Sequence, residues 1–182
     1  MSTKLQDTIK RIKIIIIDMD GVMTDGTIYK GNDGVEMKRF SVLDGTGVAL
    51  AKEAGLKLAI ISGRFSPATT ARVKELGLEN DCYQGGLNKL IAYETLQKKY
   101  GFLDEEAVFV GDDLIDMVVM EKVGLPIAVL NAYPEVKRIS KYVTETSGGE
   151  GAFREVVELI LKGQDRFERV VKSLQKKILN SD

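Results

Sequence analysis

Ile14-Ile15-Ile16-Ile17-Asp18-Met19-Asp20-Gly21 is the stretch of this sequence that decides its fold. Four consecutive β-branched residues predict a strand that is buried on both faces, as in the interior of a parallel sheet. The strand runs directly into two aspartates and a glycine. Taken alone, Asp18 and Asp20 fit two interpretations: a turn that ends the strand, or a site in which a cation lies between two carboxylates and one carboxylate acts as a nucleophile.

Strands and helices alternate along most of the remaining chain. We expect helices at about residues 4–11, 44–54, 67–76, 87–100, 114–123, 134–140 and 152–161, and further strands at 57–61, 81–83, 107–110, 126–130 and 141–143. This alternation predicts a three-layer, Rossmann-like α/β fold, in which helices cover both faces of a parallel sheet. In such folds, ligands bind at the carboxyl ends of the strands, near the point where the strand order reverses.

Three segments fall outside this alternation. Residues 27–30 and 35–40 flank a turn of glycine, asparagine and aspartate, which predicts a β-hairpin inserted outside the main sheet. Residues 147–151 are rich in glycine and are expected to form a flexible loop. Apolar residues recur at helical spacing from Phe167 to Ile178, so this tail is a helix that packs either on its own domain or on a neighbouring subunit. We divide the chain into one domain, residues 1–163 with the hairpin at about 27–40, and a C-terminal helical tail, residues 164–182.

The composition of the 182 residues excludes several classes of function. Hydrophobic residues make up 44% and charged residues 29%, which is typical of a globular protein. Lys and Arg number 26 against 27 Asp and Glu, so neither nucleic acid nor a membrane is an expected partner. There is no histidine, which excludes Ser-His-Asp and Cys-His catalysis. The single cysteine, Cys82, is interpreted as a small packing residue rather than a nucleophile, and a cytoplasmic location is expected.

Further groups with chemical potential lie at or just beyond the predicted strand ends. They are Ser62, Lys89, Asp112, Asp113 and Asp116. Each alone has an ordinary explanation, such as a hydroxyl in a turn, an exposed helix lysine or a helix cap. Because the carboxyl ends of parallel strands share one edge of a sheet, all of these groups can converge with Asp18 and Asp20. Two acidic clusters with a hydroxyl and a lysine then favour a site for Mg²⁺ and phosphate, since hard cations take oxygen ligands.

In combination these motifs resemble a known superfamily. Asp18-x-Asp20-Gly-Val-x-Thr-Asp, Ile-Ser62-Gly-Arg64, Lys89 and Gly111-Asp112-Asp113-x-x-Asp116 occur in the order typical of the haloacid dehalogenase (HAD) superfamily of phosphotransferases. More narrowly, Tyr-Gln-Gly-Gly-Leu-Asn-Lys89-Leu and Gly-Gly-Glu-Gly-Ala-Phe-Arg154-Glu resemble the family of 3-deoxy-D-manno-octulosonate 8-phosphate (KDO 8-phosphate) phosphatases. The resemblance spans Ile14 to about Arg154. It implies a HAD-like parallel sheet, a sugar-phosphate substrate and a role in making the inner-core sugar of lipopolysaccharide.

The resemblance also implies roles for the residues that carry it. Asp18 would attack phosphorus and form an aspartyl-phosphate. Asp20 would protonate the departing sugar oxygen and then activate the hydrolytic water. The remaining roles would be Mg²⁺ binding by Asp18, the backbone carbonyl of Asp20 and Asp112; support of this shell by Asp113 and Asp116; and substrate binding by Ser62, Gly63, Arg64, Lys89 and Arg154.

Alternatives remain for the substrate and for the class of protein. Arg64 could meet the carboxylate of a sugar acid or form a structural ion pair. A nine-carbon sialic-type sugar phosphate is the alternative substrate, and the apolar residues Leu56 and Pro67 near Arg64 weakly favour the eight-carbon one. The hairpin is too small to cover a site alone, so we expect a homotetramer in which subunits complete each other's pockets. The alternatives to an enzyme are a phosphate-responsive receiver-like module and an oligomerisation module.

Overall fold

The structure is a computed structural model that describes residues 3–180. The strands, in chain order, are β1 (Ile14–Ile17), β2 (Tyr29–Lys30), β3 (Glu36–Met37), β4 (Lys57–Ser62), β5 (Cys82–Gln84), β6 (Ala107–Gly111), β7 (Leu125–Ala128) and β8 (Tyr142–Val143). Six of them form a sheet in the order β5-β4-β1-β6-β7-β8, and every neighbouring pair in it is parallel. Strands β2 and β3 form a separate antiparallel hairpin, as predicted.

Helices cover both faces of this sheet. They are α1 (Thr3–Arg11), α2 (Val42–Glu53), α3 (Pro67–Glu75), α4 (Lys89–Tyr100), α5 (Met117–Met120), α6 (Pro134–Ile139), α7 (Ala152–Gly163) and α8 (Phe167–Leu179). Helices α1, α2, α7 and α8 pack in one layer, whereas α4, α5 and α6 pack in the other. The predicted three-layer α/β fold is therefore confirmed. Within residues 3–180, no helix has the length and apolar character that crossing a membrane requires.

Strand β1 is one of the two central strands of the six-stranded sheet. Its four isoleucines are buried, and they pair with β4 on one side and β6 on the other. The chain passes from β1 to β4 and β5, then returns to β6 on the opposite side of β1, so the strand order reverses beside β1. The backbone N–H of Asp18 donates to the carbonyl of Val110, 2.9 Å away, which extends this pairing beyond the strand. Asp18 thus lies where ligands bind in folds of this type.

Two local predictions are wrong. The predicted helix 114–123 is a short 3₁₀ turn, Leu114–Asp116, followed by a single turn of α-helix, α5. Residues 147–151 are not a free loop, because Gly148 and Gly149 are buried against the turn that follows β1. The N–H of Gly149 donates to the carbonyl of Val22 at 3.0 Å, and a Cβ on Gly148 would lie 1.7 Å from the carbonyl oxygen of Gly21. This loop therefore packs against the turn after β1 and holds its backbone in place.

The C-terminal helix α8 packs on its own domain. Val170 is buried, and Phe167, Val171 and Leu174 pack against the same core. Ser173 donates to Glu53 of α2 at 2.5 Å, and Lys177 forms an ion pair with the same carboxylate. Of the two interpretations of this tail, the structure therefore shows packing against the helices of the same chain.

A buried carboxylate joins α2 to the beginning of α7. Asp44 is fully buried, its Oδ1 accepts the N–H of Arg154 at 3.1 Å, and its Oδ2 has no hydrogen-bond partner among the described residues. Burial raises the pKa of Asp44 from 3.8 to about 6, although backbone N–H groups at the start of α7 act in the opposite direction. The folded protein therefore holds this proton more tightly than the unfolded chain.

The consequence is a stability contribution that depends on pH. It is fully present below the unfolded pKa and is lost as the pH rises through about 6. Asp44→Asn keeps the acceptor and removes the charge. We expect its free energy of unfolding, relative to the unmodified protein, to rise by on the order of 2 kcal/mol between about pH 4 and pH 7. Denaturant titrations at several pH values measure this difference, and parallel stability curves would contradict the prediction.

Candidate active site

Three carboxylates meet at the carboxyl edge of the sheet. Asp18 follows β1, Asp112 follows β6, and Asp116 ends the 3₁₀ turn behind it. One oxygen of each lies within 4.8 Å of the others. The turn is tight because Asp116 Oδ2 accepts the backbone N–H groups of Asp112 at 2.9 Å and Asp113 at 3.2 Å. This geometry turns the Asp116 side chain back toward the strand ends.

One buried lysine lies among these carboxylates. Lys89 is the first residue of α4, which begins after Asn88 because the Asn88 side chain accepts the N–H of Leu90. The Lys89 side chain has no exposed surface, and its Nζ lies 2.5 Å from Asp18 Oδ1 and 2.5 Å from Asp116 Oδ1. A single ammonium therefore faces three carboxylates, which leaves the cluster with an excess of negative charge when all are ionised.

This excess charge appears in the protonation of the acids. Burial, and then the carboxylate of Asp116, raise the pKa of Asp18 to about 7, although Lys89 acts in the opposite direction. Burial, and then the carboxylate of Asp18, raise the pKa of Asp112 to about 9. Burial lowers the pKa of Lys89, but the two carboxylates raise it by more, so the amine stays charged. One ammonium does not balance three ionised carboxylates, so the acids retain protons up to a higher pH than free aspartates do.

The cluster also has the shape and donors of a cation site. Oδ1 of Asp112 is buried and has no hydrogen-bond partner among residues 3–180. Gly21, at φ +92°, makes room for the same carboxylate, since a Cβ there would lie 2.0 Å from Asp112 Oδ2. Carboxylate oxygens are the ligands of hard divalent cations such as Mg²⁺. The residues present therefore fit such an ion.

The second aspartate of the motif has a lysine of its own. The side chain of Asp20 is separate from the three-carboxylate cluster, and its Oδ1 accepts a hydrogen bond from Lys38 Nζ at 2.6 Å. Lys38 belongs to the hairpin and also donates to Thr69 of α3 at 3.1 Å. The sequence motifs gave no indication of either Lys38 or Thr69. The spacing of Glu36 and Lys38 places both charges on one face of the hairpin, but it does not indicate that this face points into the domain.

Ser62 and Gly63 lie next to the cluster. Ser62 is the buried last residue of β4, and its hydroxyl donates to the carbonyl of Arg64 at 3.0 Å. A Cβ on Gly63 would lie 4.0 Å from Cε of Lys89 and 3.0 Å from the side chain of Ile115. The loop after β4 therefore borders the Lys89 side of the cluster, as the sequence predicted.

The two arginines are held away from the cluster by glutamates. Arg64 forms a two-point ion pair with Glu36 of the hairpin, whose pKa is lowered to about 2 by hydrogen bonds from Arg64 and Ser66. Of the two interpretations of Arg64, the structure therefore shows the ion pair. Arg154 donates from Nε to Glu158 at 3.0 Å, one turn further along α7. Neither arginine reaches the carboxylates of the cluster in this structure.

The structure also tests the interpretations of Leu56, Asp113 and Cys82. Leu56 precedes β4 and so lies at the amino edge of the sheet, opposite Arg64, which makes the argument for substrate size from this residue wrong. Asp113 is exposed and caps the 3₁₀ turn by accepting the N–H of Leu114 at 2.7 Å. Cys82 is half-buried in β5, and burial raises its pKa to about 11, so its thiol is not an activated nucleophile.

A parallel sheet with two aspartates after its first strand, a buried lysine and an acidic pair after a second central strand defines the class of HAD-type hydrolases. A family model for haloacid dehalogenase-like hydrolases matches residues 80–155. The 3-deoxy-D-manno-octulosonate 8-phosphate phosphatase of Salmonella typhi is 44% identical over 168 residues, which cover 92% of this chain and 89% of that protein. The chain therefore belongs to the family of KDO 8-phosphate phosphatases.

Solved structures agree with this assignment. The phosphatase of that name from Yersinia pestis matches with a TM-score of 0.89 at 41% identity, over 92% of this chain and 90% of that one. The Moraxella catarrhalis phosphatase, solved with a magnesium ion, a phosphate ion and KDO, matches with a TM-score of 0.90 at 38% identity, over 95% and 99% of the two chains. Membership of this family rules out the receiver-like alternative.

Proposed function

We propose that this protein is a Mg²⁺-dependent phosphatase that hydrolyses KDO 8-phosphate to the free sugar acid and phosphate. The observation that carries the proposal is the cluster of Asp18, Asp112 and Asp116 around the buried Lys89, in which the buried Oδ1 of Asp112 has no partner within the described residues. The named substrate of relatives that are 44% and 45% identical supports the choice of sugar phosphate.

Asp18 is the proposed nucleophile. Its carboxylate attacks phosphorus, the bond to the sugar oxygen breaks, and an aspartyl-phosphate forms. The ammonium of Lys89, 2.5 Å from Asp18 Oδ1, holds this carboxylate and is near enough to attract phosphoryl oxygens as charge moves onto them. When bound, Mg²⁺ held by Asp18, Asp112 and the carbonyl of Asp20 supplies the positive charge that the cluster lacks.

Asp20 is the proposed acid and base. Protonated, it gives its proton to the departing sugar oxygen, and as a carboxylate it then takes a proton from the water that hydrolyses the aspartyl-phosphate. Ser62, with the loop through Gly63, is the proposed hydrogen-bond donor to the phosphoryl group, because this loop borders Lys89; for this its hydroxyl must turn away from the Arg64 carbonyl that it contacts here. Substrate contacts by Arg64 and Arg154 require each to leave the glutamate with which it is paired here.

Self-association is a further part of the proposal. The outward face of the hairpin is apolar: Tyr29, Val35 and Met37 are 48%, 53% and 60% exposed. An exposed apolar face beside a substrate site is suited to contact with other copies of the chain. We propose a homotetramer in which neighbouring hairpins close the sites, and light scattering measures its mass. An active monomer would contradict it. The cytoplasmic location also stays a prediction.

Phosphate release from a panel of sugar phosphates tests the function. The panel contains KDO 8-phosphate, a nine-carbon sialic-type 9-phosphate and glucose 6-phosphate, each with Mg²⁺ and with EDTA. We expect the highest kcat/KM with KDO 8-phosphate and no turnover in EDTA. A preference for the nine-carbon substrate would show that the proposed substrate is wrong but would leave the proposed mechanism unchanged. No phosphate release from any of the three substrates would overturn the proposal.

Gly21 allows a direct test of the cation site. A Cβ at Gly21 would lie 2.0 Å from Asp112 Oδ2, so Gly21→Ala must displace this ligand. We expect Gly21→Ala to weaken Mg²⁺ binding by at least about tenfold, as measured by calorimetry. Gly34→Ala is the matched control, because Gly34 also has a positive φ, +80°, but has no atom within 4 Å of its Cβ position. Equal Mg²⁺ affinity in the two variants would show that Asp112 is not a ligand.

A further inference from the structure

The inner strand of the hairpin, β3 with the residues that follow it, has two different faces. The Glu36 and Lys38 side chains point into the domain and are 8% and 0% exposed, whereas Met37 between them is 60% exposed. Burial of a lysine ammonium is unfavourable unless partners compensate for the lost water. The partners of Lys38 therefore account for its position.

These partners come from three parts of the chain. Nζ of Lys38 lies 2.6 Å from Asp20 Oδ1, 3.1 Å from Thr69 Oγ1 and 3.9 Å from Glu36 Oε1. Thr69 is itself fully buried in α3. Because the turn after β1, α3 and the hairpin all hold this ammonium, its position is fixed, and it fixes the carboxylate of Asp20 in turn.

The two aspartates of the motif are thereby supported separately. Asp18 is paired with Lys89, and Asp20 is paired with Lys38. The hydrogen bond from Lys38 reaches only Oδ1 of Asp20, and Oδ2 accepts none from the residues that the structure describes. The hydrogen bond at Oδ1 thus fixes the orientation of Oδ2. Proton transfer requires a donor and acceptor within about 2.6–3.2 Å, so this orientation matters for the rate.

We propose that Lys38 is a positioning residue of the hydrolytic reaction: it holds Asp20 so that Oδ2 can protonate the departing sugar oxygen. The proposal rests on the proposed phosphatase function and adds to it a specific task for the hairpin. Lys38 touches Asp20 rather than the substrate, since its side chain has no exposed surface.

Two leaving groups test the proposal. A sugar alkoxide needs a proton as it departs, whereas p-nitrophenolate is a stable anion and needs none. The ratio kcat/KM reports the steps through departure of the leaving group, because hydrolysis of the aspartyl-phosphate follows that irreversible step. For Lys38→Met we expect kcat/KM with KDO 8-phosphate to fall by about 10²-fold, mainly in kcat, and kcat/KM with p-nitrophenyl phosphate to stay within about threefold.

Two further variants serve as controls. Lys30→Met removes an exposed lysine from the other strand of the same hairpin. It should leave kcat/KM unchanged with both substrates. Glu36→Gln breaks the ion pair with Arg64 and loosens the hairpin, but keeps the ammonium beside Asp20. We expect Glu36→Gln to change kcat/KM by the same factor with both substrates. Lys38→Gln gives a second measure of the same ratio if Lys38→Met does not fold.

The outcomes separate this proposal from the proposed function. Two outcomes would overturn the role of Lys38 while the unmodified protein remains an active phosphatase. One is an equal fall in kcat/KM with both substrates in the Lys38 variants. The other is that Glu36→Gln shows the same selective loss with KDO 8-phosphate. Absence of phosphate release from both substrates by the unmodified protein would overturn both proposals. A selective loss with KDO 8-phosphate in the Lys38 variants alone supports the positioning role.

Discussion

Asp18→Asn is expected to lower the turnover of KDO 8-phosphate by at least about 10⁴-fold, which in practice abolishes it. An amide oxygen is a far weaker nucleophile than a carboxylate, and the other aspartate that follows β1, Asp20, is paired with Lys38 instead. The fold should persist, because asparagine has the shape of aspartate and Lys89 keeps its ion pair with Asp116. Phosphate release with Mg²⁺ and the thermal melt measure the two parts of the prediction.

Asp7→Asn is the control for this variant. Asp7 is exposed on α1, which precedes β1 and so lies toward the opposite edge of the sheet. It should retain full activity and the same melting temperature. Turnover that survives in Asp18→Asn would remove Asp18 as the nucleophile. A loss of turnover together with a large fall in the melting temperature would instead show that Asp18 is needed for folding.

The edge of the sheet that carries the cluster could be predicted from the sequence because two local rules coincide. A run of four isoleucines can be satisfied only in the buried centre of a sheet. The carboxyl ends of parallel strands share one edge, so acids that follow two strands meet there. These rules place Asp18 and Asp112 together without any knowledge of side-chain positions, and the structure brings one oxygen of each within 4.8 Å.

The contacts of the hairpin could not be predicted in the same way. Its existence follows from its turn residues, but the direction in which it folds depends on packing against α3 and the loop after β4. For that reason the pairing of Lys38 with Asp20 was missed, and Arg64 was left between two interpretations. The Glu36–Arg64 and Lys38–Asp20 ion pairs join positions that are far apart in the sequence.

Local signals were also misread where two rules competed. The apolar residues after Asp113 predict a helix, but Asp113 and Asp116 both hydrogen-bond to the backbone of the turn, which becomes 3₁₀. Helix α2 begins at Val42, two residues before the prediction, because the Ser41 side chain accepts the N–H of Leu43. In both places a short polar side chain, rather than the hydrophobic pattern, determines the boundary.

Lys89→Met is expected to have the largest effect on stability. Within residues 3–180 it removes the only ammonium in contact with Asp18 and Asp116, both of which are buried. Removal of one partner from a buried ion pair costs about 3–5 kcal/mol, because the remaining charge is left uncompensated. For a chain of this length we expect a fall in melting temperature on the order of 10 °C in EDTA at pH 8. Turnover with Mg²⁺ should also fall by about 10²–10³-fold.

The dependence on conditions makes this prediction specific to the cluster. Without Lys89 the carboxyls can reduce their repulsion by binding protons, which raises their pKa further in the folded state. Stability is then lost as the pH rises, so the deficit should be smaller at pH 5.5 than at pH 8. Mg²⁺ should also reduce it, by supplying the missing charge. Lys98→Met, an exposed lysine on the same helix, is the control and should show neither dependence. A Lys89→Met deficit that is independent of both pH and Mg²⁺ would mean that Lys89 stabilises the fold by packing and not by balancing the charge of the cluster.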